Sequence, residues 1–101
     1  MSMNEPILSI STAAKLLNLH PRTVMLYERM GLISPHRTNT KRRMFSVEDL
    51  KQLQFVKFLT KEKSVNLAGV KLIQEAIGLA QKEGLDLRKA IFPSFKTTQL
   101  F

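Results

Sequence analysis

The chain has 101 residues, with 16 basic and 8 acidic side chains and a formal net charge of +8. That length fits one small domain with a modest core, so oligomerisation or a ligand can supply part of its stability. The charge favours a polyanionic partner, nucleic acid ahead of an anionic membrane surface, and the lack of cysteine excludes disulfides, thiolate metal sites and cysteine redox switches. No basic segment followed by a long apolar run opens the chain, and no apolar run approaches the roughly 20 residues needed to span a bilayer. A cytoplasmic protein without a membrane partner is expected.

Residues 1–6 are polar with one proline and are expected to be a flexible N-terminus. From Ile7 to Ile10 apolar and polar residues alternate, as in a short strand or extended lead-in. Ser11 or Thr12 is placed to cap a first helix of about two turns through Ala13, Ala14, Leu16 and Leu17. Asn18, Leu19 and His20 form a turn. Pro21 stands at a first helical position, and Val24 and Tyr27, joined by Leu26 and Met30, give the second helix its apolar face. Gly31 is a left-handed stop. Pro35 forbids helix in the next segment. His36 to Arg43 is polar and basic around Asn39-Thr40, with Met44-Phe45 as its return strand, which predicts a two-stranded wing.

Ser46 and Asp49 resemble a capping box opening a third helix, with Leu50, Leu53, Val56 or Phe55, and Leu59 as its stripe, running to about Lys63. Asn66 caps a fourth helix with Leu67, Val70, Ile73, Ile77 and Ala80 or Leu79 inward, ended by Gly84. Asp86 caps a last short helix, Leu87 to Phe92, ended by Pro93. The expected fold is mainly α with a small β-wing, a winged helix-turn-helix. Its DNA-binding domain with two supporting helices covers 7–83, followed by a short C-terminal segment, 84–101.

Charge is concentrated where this pattern is strongest. From His20 to Phe45 there are six basic residues and one acid, Glu28, a local +5 out of the whole chain's +8. Such a footprint on one helix and one hairpin suits phosphate, through counterion release and bidentate guanidinium hydrogen bonds. In helix-turn-helix docking the start of the second helix enters the major groove. That selects Arg22, for a guanine edge or a phosphate, Thr23, for a phosphate or a thymine methyl, and Met25. Tyr27, one turn beyond Thr23, either bonds a phosphate through its hydroxyl or packs in the core with the hydroxyl at the rim. His20 reads as a capping or turn residue, since no second ligand stands at metal spacing. Glu48 and Asp49 suit a helix start better than an acid/base pair. With no phosphate loop and no nucleophile motif, an enzyme is not expected, and no cofactor or small-molecule effector is evident.

Three runs resemble the MerR family of transcriptional regulators: ISTAAKLLNLHPRTVMLYERMGLISPHR, RRMFSVEDLKQLQFVKFLTKE and VNLAGVKLI, together spanning roughly residues 8–74. Within that family, His20-Pro21 and the run Val65 to Gly69 look most like heat-shock repressors of the HspR type. The resemblance implies a repressor of stress and chaperone genes that binds inverted-repeat double-stranded DNA as a homodimer, with a DnaK-type chaperone as co-repressor. It also implies DNA contacts at Arg22, Thr23 and Tyr27, and at Arg37 and Arg43 in the wing. Members usually carry Arg and an aromatic before the Tyr-Glu pair, where this chain has Met25 and Leu26. Lys41 or Arg42 can compensate with phosphate contacts. Members usually continue into a dimerising coiled coil and a sensor domain; the residues after Gly84 leave no room for a sensor domain, and a coiled coil is expected to be short or absent. Dimerisation or a partner contact is then expected from Leu85, Leu87, Ile91 and Phe92, and from Phe95 with Leu100 and Phe101, unless the tail merely covers the third and fourth helices. Rival functions are an architectural, excisionase-like DNA-bending factor and a protein-interaction adaptor using the basic face.

Overall fold

The computed structural model of the chain describes residues 5–40 and 42–97. The order of elements is β1 (Leu8–Ser9), α1 (Ile10–Leu16), α2 (Pro21–Arg29), β2 (His36–Arg37), β3 (Arg43–Phe45), α3 (Val47–Lys57), a π-helical turn (Phe58–Glu62), α4 (Leu67–Lys82) and α5 (Leu87–Ile91). It is the expected mainly helical fold with a small sheet.

The cap of α1 is Ser9 rather than Ser11 or Thr12: the Ser9 hydroxyl accepts from the Thr12 backbone N–H at 3.2 Å. Ile10 therefore belongs to the helix, and the extended lead-in shortens to β1. This strand pairs antiparallel with β3, Leu8 opposite Phe45, so the wing is a three-stranded sheet in the order β1-β3-β2 rather than a lone hairpin. A free two-stranded ribbon is marginal in water, and β1 ties the base of the wing to α1.

Three helices end by one device. After α1, α2 and α4 the chain turns left-handed at Asn18 (φ 56°), Gly31 (φ 78°) and Gly84 (φ 77°). In each case the next residue's N–H reaches back five residues: Leu19 to Ala14 O, Leu32 to Tyr27 O and Leu85 to Ala80 O, all at 2.8–2.9 Å. These Schellman closures satisfy carbonyls that a helix end would leave bare. At Gly31 a Cβ would lie 2.6 Å from Lys71 Nζ, the mobile end of a side chain that can shift, so the left-handed backbone is the main reason for glycine.

Helix α3 starts as expected: Asp49 N–H donates to Ser46 Oγ at 3.0 Å and Ser46 N–H to Asp49 Oδ2 at 2.9 Å. Phe45 and Leu50, at the two staple positions, are both buried. The helix does not run regularly to Lys63. It widens after Lys57 into the π turn, where the Thr60 hydroxyl donates back to Lys57 O at 3.1 Å. Helix α3 buries two faces. Leu50, Leu53, Val56 and Leu59 join Ala13, Ala14, Leu17, Val24, Tyr27, Leu32, Ile33, Phe45 and Val70 in the core. Phe55 is buried as well, so both members of the Val56/Phe55 pair point inward. Of the Ala80/Leu79 pair, Ala80 is half-buried and Leu79 is exposed; Leu26 and Met30 are also exposed rather than on the α2 core face.

The C-terminal segment folds back on the chain. Phe92 and Phe95 meet Phe55 and Phe58 with ring centroids 4.9–5.8 Å apart. Arg88 lies over the Phe55 and Phe95 rings at 5.8 Å. Phe92 and Phe95, expected as dimer or partner contacts, are thus spent inside the chain, against the aromatic face that Phe55 of α3 and Phe58 of the π turn present. The helix itself stops at Ile91, one residue short of the expected Phe92. Leu100 and Phe101 lie outside the described residues.

Candidate nucleic-acid interface

His20 opens α2 as its N-cap. Its Nδ1 accepts from the Arg22 backbone N–H at 3.0 Å, and Pro21 occupies the first turn. This pins the helix start without using the Arg22 side chain, which is exposed, while Thr23 and Met25 are half-buried beside it. A guanidinium at the tip of a helix N-terminus adds to the partial positive charge of the free end, an arrangement suited to an anion or a base edge.

The two helices, α1 and α2, are braced by side chains of α3 and α4. Lys57 Nζ donates to Leu17 O at 2.6 Å, closing the end of α1. At the far end of α2, Lys71 Nζ donates to Met30 O at 3.4 Å and Gln74 Nε2 to Leu32 O at 3.1 Å, both from α4. Tyr27 faces the other way. It is 3% exposed, with its hydroxyl 3.4 Å from Thr60 Oγ1. The expectation that its hydroxyl bonds a phosphate is therefore corrected: the ring fills the core and the π turn takes the hydroxyl.

The wing is ordered from its own side chains. Thr38 N–H donates to Arg42 O at 3.0 Å, and Arg42 N–H donates to Thr38 Oγ1 at 3.2 Å. Thr38 and Thr40 hydroxyls lie 3.0 Å apart. Arg42 is thereby fixed in its backbone and exposed in its side chain at the hairpin end. Lys41 lies outside the described residues.

Arg37 and Arg43 do not stand alone. Glu28, on α2, takes Arg37 Nη2 on Oε2 at 2.9 Å and Arg43 Nε on Oε1. Their side-chain exposures are 43% for Arg37, 25% for Arg43 and 17% for Glu28. In the sequence Glu28 is only the one acid that lowers a local basic count. A single carboxylate amid six cations was the available signal, but only the strand register shows which two it serves. Of the tail residues, Leu85 and Ile91 are 62% and 53% exposed and Leu87 is half-buried.

Comparison with known proteins agrees with this geometry. Residues 8–77 match the profile of MerR HTH family regulatory proteins. HspR of Streptomyces coelicolor, named as a heat shock protein, is 41% identical over 75 residues, 74% of this chain and 50% of that protein. The HTH-type transcriptional regulator GlnR of Bacillus anthracis is 35% identical over 68 residues, 67% of this chain and 52% of that protein. The chain thus spans about half the length of these curated relatives. In fold it resembles HiNmlR, a MerR family regulator lacking the sensor domain, whose crystal structure is of the protein bound to promoter DNA; the TM-score is 0.61 at 21% identity, over 83% of this chain and 75% of that one. The chain belongs to the MerR family of helix-turn-helix regulatory proteins, a family of DNA-binding regulators and not of enzymes.

Proposed function

We propose that the chain is a sequence-specific repressor of stress and chaperone genes that binds an inverted-repeat operator as a dimer. The observation that carries the DNA-binding part is the exposed Arg22 at the capped tip of α2, beside a wing whose exposed end carries Arg42. The 41% identity to HspR supports the assignment to stress genes. Arg22, Thr23 and Met25 approach base edges; Arg37, Lys41, Arg42 and Arg43 face phosphates. Arg43 engages Glu28 through Nε, and its guanidinium carries four further N–H groups. Leu85 and Ile91, exposed and apolar, with Leu87 beside them, are the proposed dimer contact. A DnaK-type chaperone is the proposed co-repressor, and the cytoplasm the proposed compartment; no helix among the described residues is long and apolar enough to cross a membrane.

Selection of bound sequences from a random duplex pool at near-physiological salt tests this reading, because purely electrostatic binding is weak there. Enrichment of an inverted repeat is expected, and its spacing locates the dimer contact. A single enriched half-site contradicts the dimer. No enrichment, with or without the chaperone, contradicts sequence-specific regulation.

A further inference from the structure

Arg37 and Arg43 are direct partners in the β2-β3 register, so their side chains emerge on one face of the sheet, opposite each other. Two like charges so placed destabilise an antiparallel pair. The carboxylate of Glu28 receives both, one oxygen for each guanidinium. Glu28 itself is on α2, six residues past Arg22, and is mostly buried beneath the wing. One side chain therefore holds together two strands that would otherwise repel and fixes their hairpin against the helix that carries Arg22. The pairs are charge-assisted, and the carboxylate is largely shielded from water, where such bonds are strongest.

We propose that Glu28 is a positioning residue for DNA discrimination, resting on the reading of the chain as a DNA-binding regulator. It fixes the wing relative to the tip of α2 and restrains Arg37 and Arg43 from seeking any phosphate within reach. A negative charge beside phosphate-facing cations costs affinity for DNA in general; the return is a wing and a helix that engage one duplex geometry together. Sequence preference is then the property most sensitive to Glu28, and total affinity is not.

Three variants test this: E28Q, which keeps the size and removes the charge, E28D, which keeps the charge and shortens the reach, and R43Q. Affinities are measured for the selected repeat and for random duplex over a range of salt. For E28Q, affinity for random duplex rises roughly threefold to tenfold at low salt, and its salt slope steepens by about one, at ~0.9 per phosphate gained. The preference for the selected repeat falls by at least that factor. E28D keeps the wild-type affinity for random duplex and loses part of the preference. Separately, thermal unfolding of E28Q, R43Q and the double variant shows non-additive shifts, because one interaction is removed by either change. If E28Q retains the wild-type preference, or weakens both duplexes equally, or if the unfolding shifts add, the role of Glu28 is overturned. If the wild type itself shows no preference, the DNA-regulator reading falls and takes the discrimination role with it; the unfolding cycle tells the two failures apart.

Discussion

Truncating Arg22 to Ala tests the proposed interface at its most exposed point. The perturbation is clean. The Arg22 backbone N–H keeps its bond to His20 Nδ1, the side chain is exposed, and alanine suits a helix at least as well as arginine. Stability should therefore change by less than about 0.5 kcal/mol. Loss of a bidentate base contact costs about 1–3 kcal/mol. At about 1.4 kcal/mol per factor of ten, that is roughly a fivefold to 150-fold weaker complex with the selected repeat. Random duplex, which offers no matched base, should lose only one phosphate contact, seen as a salt slope shallower by about 0.9. Fluorescence anisotropy on both duplexes over a range of salt reads the two effects apart. Equal losses on both duplexes would make Arg22 a phosphate clamp. No loss on either would refute the placement of the α2 tip at DNA.

Other residues carry further predictions. Arg42→Ala should weaken binding to both duplexes alike and lower the salt slope by about one; an unchanged slope would show that Arg42 does not replace the arginine missing near Met25. Gly31→Ala should cost about 1–2 kcal/mol from the left-handed backbone, with a matching loss in urea unfolding; a neutral result would contradict the need for glycine at this helix end. Ser46→Ala should cost about 1–2 kcal/mol, because it leaves the Asp49 N–H without its acceptor at a buried cap. Phe92→Ala should speed proteolytic cleavage after Gly84 while leaving DNA affinity unchanged, since Phe92 packs on Phe55 and Phe58. An intact tail with altered self-association would instead return Phe92 to the role of a partner contact.

Local chemistry made much of the fold legible. Pro21, Gly31, Ser46, Asn66 and Gly84 each mark a helix boundary through a property of one or two residues, and the structure places a boundary at each. The first boundary is not fixed locally, because Ile7 to Ile10 satisfies a strand alternation and a helix start equally well; pairing of Leu8 with Phe45, 37 residues away, decides between them. The π turn left no periodic trace, since Phe58 and Leu59 fit either a regular or a widened helix.

The candidate site was legible in its charges and not in their couplings. Arg22 and Arg42 stand exposed where residue type and position suggested. Tyr27 and Glu28, adjacent in the chain, point in different directions from α2: the tyrosine into the core toward Thr60, the glutamate toward the wing. Neither contact has a short-range signature, because each joins residues separated by a turn or more of another element. The same holds for Phe92 and Phe95, whose partners, Phe55 on α3 and Phe58 in the π turn, lie more than thirty residues back.

The central claim is that the tip of α2 and the wing form one DNA-reading surface. Its most direct test is a titration of the nitrogen-labelled chain with the selected duplex, followed by backbone amide shifts. The account predicts the largest changes from His20 to Arg29 and from His36 to Arg43, with little change along the exposed side of α4 that carries Leu72 and Leu79. Changes centred on α4 and α5, with the start of α2 unmoved, would contradict it.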